Sequence, residues 1–186
     1  MEKPMKLLKF EKVRDSRYLK NYELTYLNRA GREKKYEIVS RRDLKDETEL
    51  GINPSGVSIV AYQGDKMLLL HEFRMGVNRS IYNLCAGMLE ADETIEECIA
   101  RELYEETGLK VRRIIDILHP SYAAVAISDT TTYIAFIEAE GDIESHASNN
   151  EEIDAKFYSK DQLKAMLETE SFSSRAQVCA WFFAHS

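Results

Sequence analysis

The chain has 186 residues, 44% of them apolar and 31% charged, enough to bury the core of one domain or of one domain with an extra lobe. With 32 acidic residues against 25 lysines and arginines, its net charge of −7 argues against general affinity for nucleic acid or an anionic membrane; holding a polyanion needs a metal or a few local arginines. No run approaches the roughly 18 apolar residues of a membrane span, and MEKPMKLLKFEKVRD holds no signal-peptide core, so the cytosol is the expected location.

The first fifty residues are charged and tyrosine-rich. Within them YELTYLN, the turn RAGR and KKYEIVSRR alternate apolar and polar positions as a β-hairpin does. Residues 1–50 therefore read as a small antiparallel β-lobe and residues 51–186 as the main domain. From Gly56 the character changes: GVSIVAY and KMLLLHEFR are apolar enough for central strands, and the QGD between them makes a tight turn. Further on, VRRIIDIL, TTYIAFIEAE and IDAKFYS read as strands, and SYAAVAISD and GDIESHASNNEE as loops. Ser159 and Gln162 form a capping box for a helix to about Leu167, and SSRAQVCAWFFA is a last helix packed on the body. Cys85, Cys98 and Cys179 are widely spaced, with no CxxC and no neighbouring histidine, so buried reduced thiols are expected. His71, His119, His146 and His185 form no ligand-spaced cluster.

Between these strands lies GMLEADETIEECIARELYEETGL, residues 87–109. Thr94 and Glu97 make a capping box and Gly108 is suited to end the helix, so the spacing predicts a helix from Ile95 to Thr107. At about 100° per residue from Ile95, Cys98, Ile99 and Leu103 fall near 300°, 40° and 80°, which defines a buried face. Glu102 and Glu106 fall near 340° and 20°, in the middle of that face. Burying carboxylates there costs several kcal/mol unless something positive meets them, and no Lys or Arg of the helix shares the face. Positions i and i+4 are close enough for two carboxylates to grip one ion or a close pair, and all-oxygen ligation selects Mg²⁺ or Mn²⁺. Glu105 flanks the pair and lies four residues from Arg101, whose guanidinium can hold it.

Written as spacing, the stretch is Gly87, five residues, Glu93, seven residues, Arg101-Glu102-Leu103, one residue, Glu105-Glu106, one residue, Gly108-Leu109. This resembles the Nudix box with every defined position filled. The resemblance implies an α/β (α+β) fold, an α/β/α sandwich with a mixed sheet plus the amino-terminal antiparallel β-lobe. It also implies divalent-metal-dependent attack of water on a diphosphate. By position, Glu102 and Glu106 become the principal metal ligands, Glu105 assists, the carbonyl of Ala86 completes the site, Arg101 orients the carboxylates and Gly87 lets the backbone approach the ion.

Over roughly residues 10–185 the chain is similar to the branch that cleaves ADP-ribose and other nucleoside diphosphate sugars, through LLLHEFRMGV with Arg74, the AG that opens the box, and NNEEIDAKFYSKDQL. That likeness implies a homodimer formed through the β-lobe, phosphate contacts from Arg74 and a general base in the late acidic loop, at Glu151 or Glu152. The chain departs from the branch at Asn83 and Cys85, in a loop lacking the usual Pro-Gly, and at Asn149, where a relative has Glu. Asp129 is a further candidate for touching substrate or metal, or else a turn cap, and Arg79 a second arginine for the phosphates. Tyr22, Tyr26 and Phe73 are candidates to stack on adenine, with core packing the competing role. The expected reaction is hydrolysis of ADP-ribose to AMP and ribose 5-phosphate, the partners being a small nucleotide sugar and a second copy of the chain, with neither nucleic acid nor membrane. Hydrolysis of GDP-mannose or a dinucleoside polyphosphate, and a non-catalytic nucleotide-sugar sensor, are the alternatives.

Overall fold

The computed structural model describes residues 5–144 and 152–186. The chain forms two compact units, Met1–Ser55 with Pro120–Thr132, and Gly56–His119 with Tyr133–Ser186. Among the described residues no helix is long and apolar enough to cross a membrane.

The first unit is built on a three-stranded antiparallel sheet, β1 (Lys6–Asp15), β2 (Lys20–Leu27) and β3 (Glu33–Ser40), in that order. The hairpin of β2 and β3 follows from its alternation. Strand β1 is an addition that the sequence pattern conceals, because register shifts between Leu7 and Lys9 and between Lys12 and Arg14 break the period of two. Only Leu7 and Phe10 of β1 turn toward the core of Tyr22, Leu24, Ile38 and Leu44. Tyr22 is fully buried, stacks on Phe10 at 4.9 Å and accepts from the Leu44 amide at 2.6 Å, so it is core in this unit. The loop after Tyr122 docks on β3: the Val39 amide donates to the Ile127 carbonyl at 2.8 Å and the Tyr36 hydroxyl to the Ala126 carbonyl at 2.5 Å.

The second unit carries the mixed sheet. Its strands are β4 (Gly56–Gln63), β5 (Lys66–Arg74), β6 (Arg79–Asn83), β7 (Cys85–Met88), β8 (Lys110–Tyr122), β9 (Thr131–Glu140) and β10 (Ile153–Ser159); β8 ends and β9 begins in the first unit. The spatial order is β10-β5-β4-β9-β8, with β6 on β5 and β7 on β4. Strand β4 runs parallel to β9 and antiparallel to β5, and its first six residues are all buried, as its unbroken apolar run requires of a central strand. Gly64, at φ +61°, makes the two-residue turn into β5.

Helix α1 (Ile95–Thr107) covers one face, and α2 (Lys160–Thr169) and α3 (Ser174–His185) cover the other. Cys98, Ile99 and Leu103 of α1 pack against Val57, Ile59, Leu68 and Leu70. On the opposite face Leu163 of α2 and Ala176, Ala180 and Ala184 of α3 meet Val60, Met67 and Leu69. The parity of the strand residues assigns the two layers, since alternate side chains of a strand point to opposite faces. The result is the expected α/β/α sandwich. The three cysteines are free, Cys85 and Cys98 buried and Cys179 half-buried. His146, Asn149 and Glu151 lie outside the described residues.

Candidate functional site

Helix α1 begins at a complete capping box. The Thr94 hydroxyl accepts from the Glu97 amide and the Glu97 carboxylate accepts from the Thr94 amide, so two orphan donors of the first turn are satisfied. It ends at Gly108, whose φ of +75° is the left-handed cap that closes the last turn. These two stops fix the helix phase. Cys98, Ile99, Leu103 and Thr107 are buried with Glu102 among them, and Glu106 is half-buried one turn on.

Arg101 organises the acids. Its Nε and Nη2 donate to the two oxygens of Glu93 at 2.7 and 2.9 Å, and Nη2 also donates to the Met88 carbonyl at 2.9 Å. Its Nη1 reaches Glu102 at 2.8 Å and Glu105 at 3.2 Å. This bidentate grip holds the Glu93 carboxyl well down, at about 2. Glu93 thus ties the loop before the helix to the helix itself, a role its place in the spacing does not disclose.

The two inward glutamates stand differently. Burial raises Glu102, and the adjoining Arg101 guanidinium opposes the rise. Glu106 is set by burial first. Burial pushes it up to about 8, the Cys85 thiol and the Ala86 amide, which donates at 3.1 Å, hold it back, and the charges of Glu102 and Glu72 push it further up.

Strand β7 makes room for this arrangement. It pairs with β4 so that Ala86 lies opposite Ser58 and Gly87 opposite Val57. A Cβ at residue 87 would stand 1.6 Å from Cδ of Glu102, and one at Gly56 would stand 2.0 Å from the Gly87 carbonyl oxygen. Both glycines are therefore matters of space.

A second cluster sits at the end of β5. Residues 68, 70, 72 and 74 share one face, so Glu72 and Arg74 continue the surface on which α1 packs. Glu72 is 7% exposed; it accepts from the Asn83 amide nitrogen at 2.6 Å and from Arg74 at 3.3 Å. Glu72, Arg74, Glu152 and Ile153 line a cavity of about 220 Å³, and the Phe73 amide fixes the Glu152 carbonyl at 3.1 Å. Arg79 is the register partner of Arg74 across β5 and β6 and is also exposed. Sequence reasoning passed over Glu72, and met Asn83 only as a departure from the branch; the signal for Glu72 was the phase, a carboxylate continuing the inward parity of Leu68 and Leu70.

Asp129 belongs to the first unit, where its buried carboxylate accepts from Arg42 at 3.1 Å and from the Gly51 amide at 3.4 Å. Glu105 is largely exposed and turned to Arg101. Among the described residues no three His, Cys, Asp or Glu side chains are drawn into one ready-made ligand cluster.

The donor set of Glu102 and Glu106 nevertheless suits a hard divalent cation. Two neighbouring carboxyl groups, both raised by burial, offer oxygen donors whose ionised form a divalent cation would stabilise.

Comparison with known proteins decides the family. The NUDIX domain model matches residues 52–182, which is most of the chain. The chain belongs to the Nudix family. An ADP-ribose pyrophosphatase of Methanocaldococcus jannaschii is 31% identical over 93 residues, covering 49% of this chain and 54% of that protein. The NAD-capped RNA hydrolase NudC of Vibrio parahaemolyticus is 45% identical over 56 residues, 30% of this chain and 21% of that protein. The chain thus spans between about a fifth and about half the length of these two curated relatives. A solved structure described as an ADP compounds hydrolase superposes with a TM-score of 0.74 at 20% identity, covering 100% of this chain and 94% of that one, and establishes the shared fold.

The space around Gly87 gives a direct test of the Nudix site. In Gly87→Ala the three nearest atoms that the new Cβ would meet all belong to the flexible end of Glu102, which must swing away. Turnover is expected to fall about 10²-fold, as for an ångström-scale misplacement of a catalytic group, with the melting temperature nearly unchanged. Wild-type kcat in a folded Gly87→Ala protein would contradict the placement of Glu102.

Proposed function

We propose that this Nudix protein hydrolyses the diphosphate bond of a nucleoside diphosphate sugar, with ADP-ribose and water giving AMP and ribose 5-phosphate. The observation that carries the reading is the inward-facing pair of buried Glu102 and half-buried Glu106, on the same face of the sheet as a pocket lined by Arg74 and Glu152. The likeness to an ADP-ribose pyrophosphatase supports the choice of substrate. Glu102, Glu106 and the Ala86 carbonyl would hold Mg²⁺ or Mn²⁺, with Glu105 assisting and Arg101 keeping the carboxylates in place. A divalent cation so held supplies Lewis-acid polarisation of phosphate oxygens and a more acidic bound water.

The chain's own groups do the rest. Arg74 and Arg79 neutralise phosphate oxygens, and Arg74 matches them with a planar fork of donors. Water attacks one phosphorus as the bridging oxygen leaves with the other phosphate, and Glu151 or Glu152 accepts the proton of the attacking water. That Glu152 lines the same pocket as Arg74 supports this role. Asp129 touches substrate only if the first unit brings it there; its contacts within that unit support a structural role instead.

A release assay over ADP-ribose, GDP-mannose, NAD, NAD-capped RNA and a dinucleoside polyphosphate, with Mg²⁺ or Mn²⁺, tests the reading. ADP-ribose is expected to be cleaved fastest, and Glu106→Gln to abolish cleavage of every substrate. Faster cleavage of another member would replace the substrate and leave the hydrolytic site standing, whereas full activity of Glu106→Gln would remove the site.

Substituting Glu151 and Glu152 together is expected to lower kcat by about 10²-fold or more, as loss of a general base does, with metal affinity retained. Unchanged turnover would refute the assigned base.

A homodimer through the β-lobe completes the proposal. The first unit is small, and β1 leaves Leu8 and Val13 exposed at 45% and 53%. Light scattering across the micromolar range is expected to give twice the chain mass; a monomer throughout would overturn it.

A further inference from the structure

The carboxylate of Glu72 has no place in the chemistry above, yet it is the most buried acid of the pocket. Its hydrogen-bond partners are specific, and its charge is felt at Glu106. The amide of Asn83 cannot be turned over: its Oδ1 accepts from the Leu84 amide at 3.0 Å and from the Ser173 hydroxyl at 2.6 Å, so its nitrogen must face Glu72 Oε1, at 2.6 Å. Ser173 is itself fixed. It is the N-cap of α3, it accepts from the Ala176 amide, and its own amide donates to the Tyr82 carbonyl at 2.9 Å. The second oxygen of Glu72 meets Nη1 of Arg74 at 3.3 Å.

These bonds form one line from the α3 cap on one side of the sheet to Arg74 on the α1 face. Arg74 stands at the far end with its side chain 56% exposed. An arginine so exposed loses rotamer freedom when it grips a phosphate, unless it is oriented beforehand.

We infer that Glu72, held by Asn83 and Ser173, is a positioning residue that sets the Arg74 guanidinium over the pocket for the substrate diphosphate. The inference rests on the reading of Arg74 as a phosphate ligand. Glu72 acts through Arg74 and touches neither water nor phosphorus. Asn83 matters for the donor it alone supplies, since an aspartate there would keep both accepting contacts and repel Glu72.

The experiment uses the full chain with ADP-ribose, or whichever diphosphate it cleaves fastest, and measures kcat, KM, melting temperature and Mn²⁺ affinity by calorimetry. Glu72→Gln, Asn83→Ala and Asn83→Asp are compared singly, and Asn83→Ala again in an Arg74→Ala background. Each single variant is expected to raise KM about 10-fold with kcat and Mn²⁺ affinity within about 2-fold, a coupling of the size found between contacting residues. In the Arg74→Ala background the further change from Asn83→Ala should be under about 2-fold, because the effect has lost its carrier.

An unchanged KM in folded Glu72→Gln would overturn the inference by showing that the acid does not position Arg74, and a lowered KM would overturn it by showing that the acid merely repels the substrate. Additive effects in the Arg74→Ala background would overturn it too, as would weakened Mn²⁺ binding in Glu72→Gln, which would move the acid into the metal site. If Arg74→Ala itself leaves KM unchanged, the reading of Arg74 fails and the inference falls with it; if Arg74→Ala raises KM and the other variants do not, the inference alone fails.

Discussion

The site depends on one constraint: two carboxylates of α1 must lie on the face that the helix turns to the sheet. An unpaired buried carboxylate costs several kcal/mol, so a helix built only for stability would carry leucine or alanine at 102 and 106. Arg101 offsets the cost at Glu102 with a hydrogen bond of 2.8 Å, and at the same time holds Glu93 and Glu105. At Glu106 an amide and a thiol oppose the effect of burial, which pushes the carboxyl up to about 8. The imbalance is what a divalent cation would correct.

The rest of the second unit serves that placement. Strand β4, buried from Gly56 to Ala61, gives a stiff floor, and its pairing with β7 sets the backbone of Ala86 and Gly87 under the two glutamates. Glycine at 56 and 87 allows the approach that any side chain would block. Strand β5 carries the inward parity from the apolar core out to Glu72 and Arg74, so one strand both anchors the helix and reaches the pocket. Leu68 and Leu70 pack in the core, and the next two inward positions of the same face, Glu72 and Arg74, line the pocket.

What the sequence disclosed was local. The bounds of α1 follow from Thr94, Glu97 and Gly108, and the inward turn of Glu102 and Glu106 follows from helical phase, both set within a few residues. The sandwich was legible through the apolar runs of β4 and β5. Strand β1 was not, because its bulges erase the alternation that would announce it. Strands β6 and β7 are short, and β7 pairs with β4, beyond the intervening β5 and β6. The contacts of Asn83 with Ser173 and of Asp129 with Arg42 join residues 90 and 87 positions apart, and nothing in the intervening chain encodes them. Glu72 lay between these cases: its phase was readable, but the partner that gives it meaning is not its neighbour.

The central claim, that Glu102 and Glu106 face inward to hold a divalent cation, is tested most directly by manganese-edge anomalous diffraction from crystals of this protein soaked in Mn²⁺. The account predicts an anomalous peak between the two carboxylates and the Ala86 carbonyl. Manganese found only elsewhere on the protein, or no peak at saturating Mn²⁺, would contradict it.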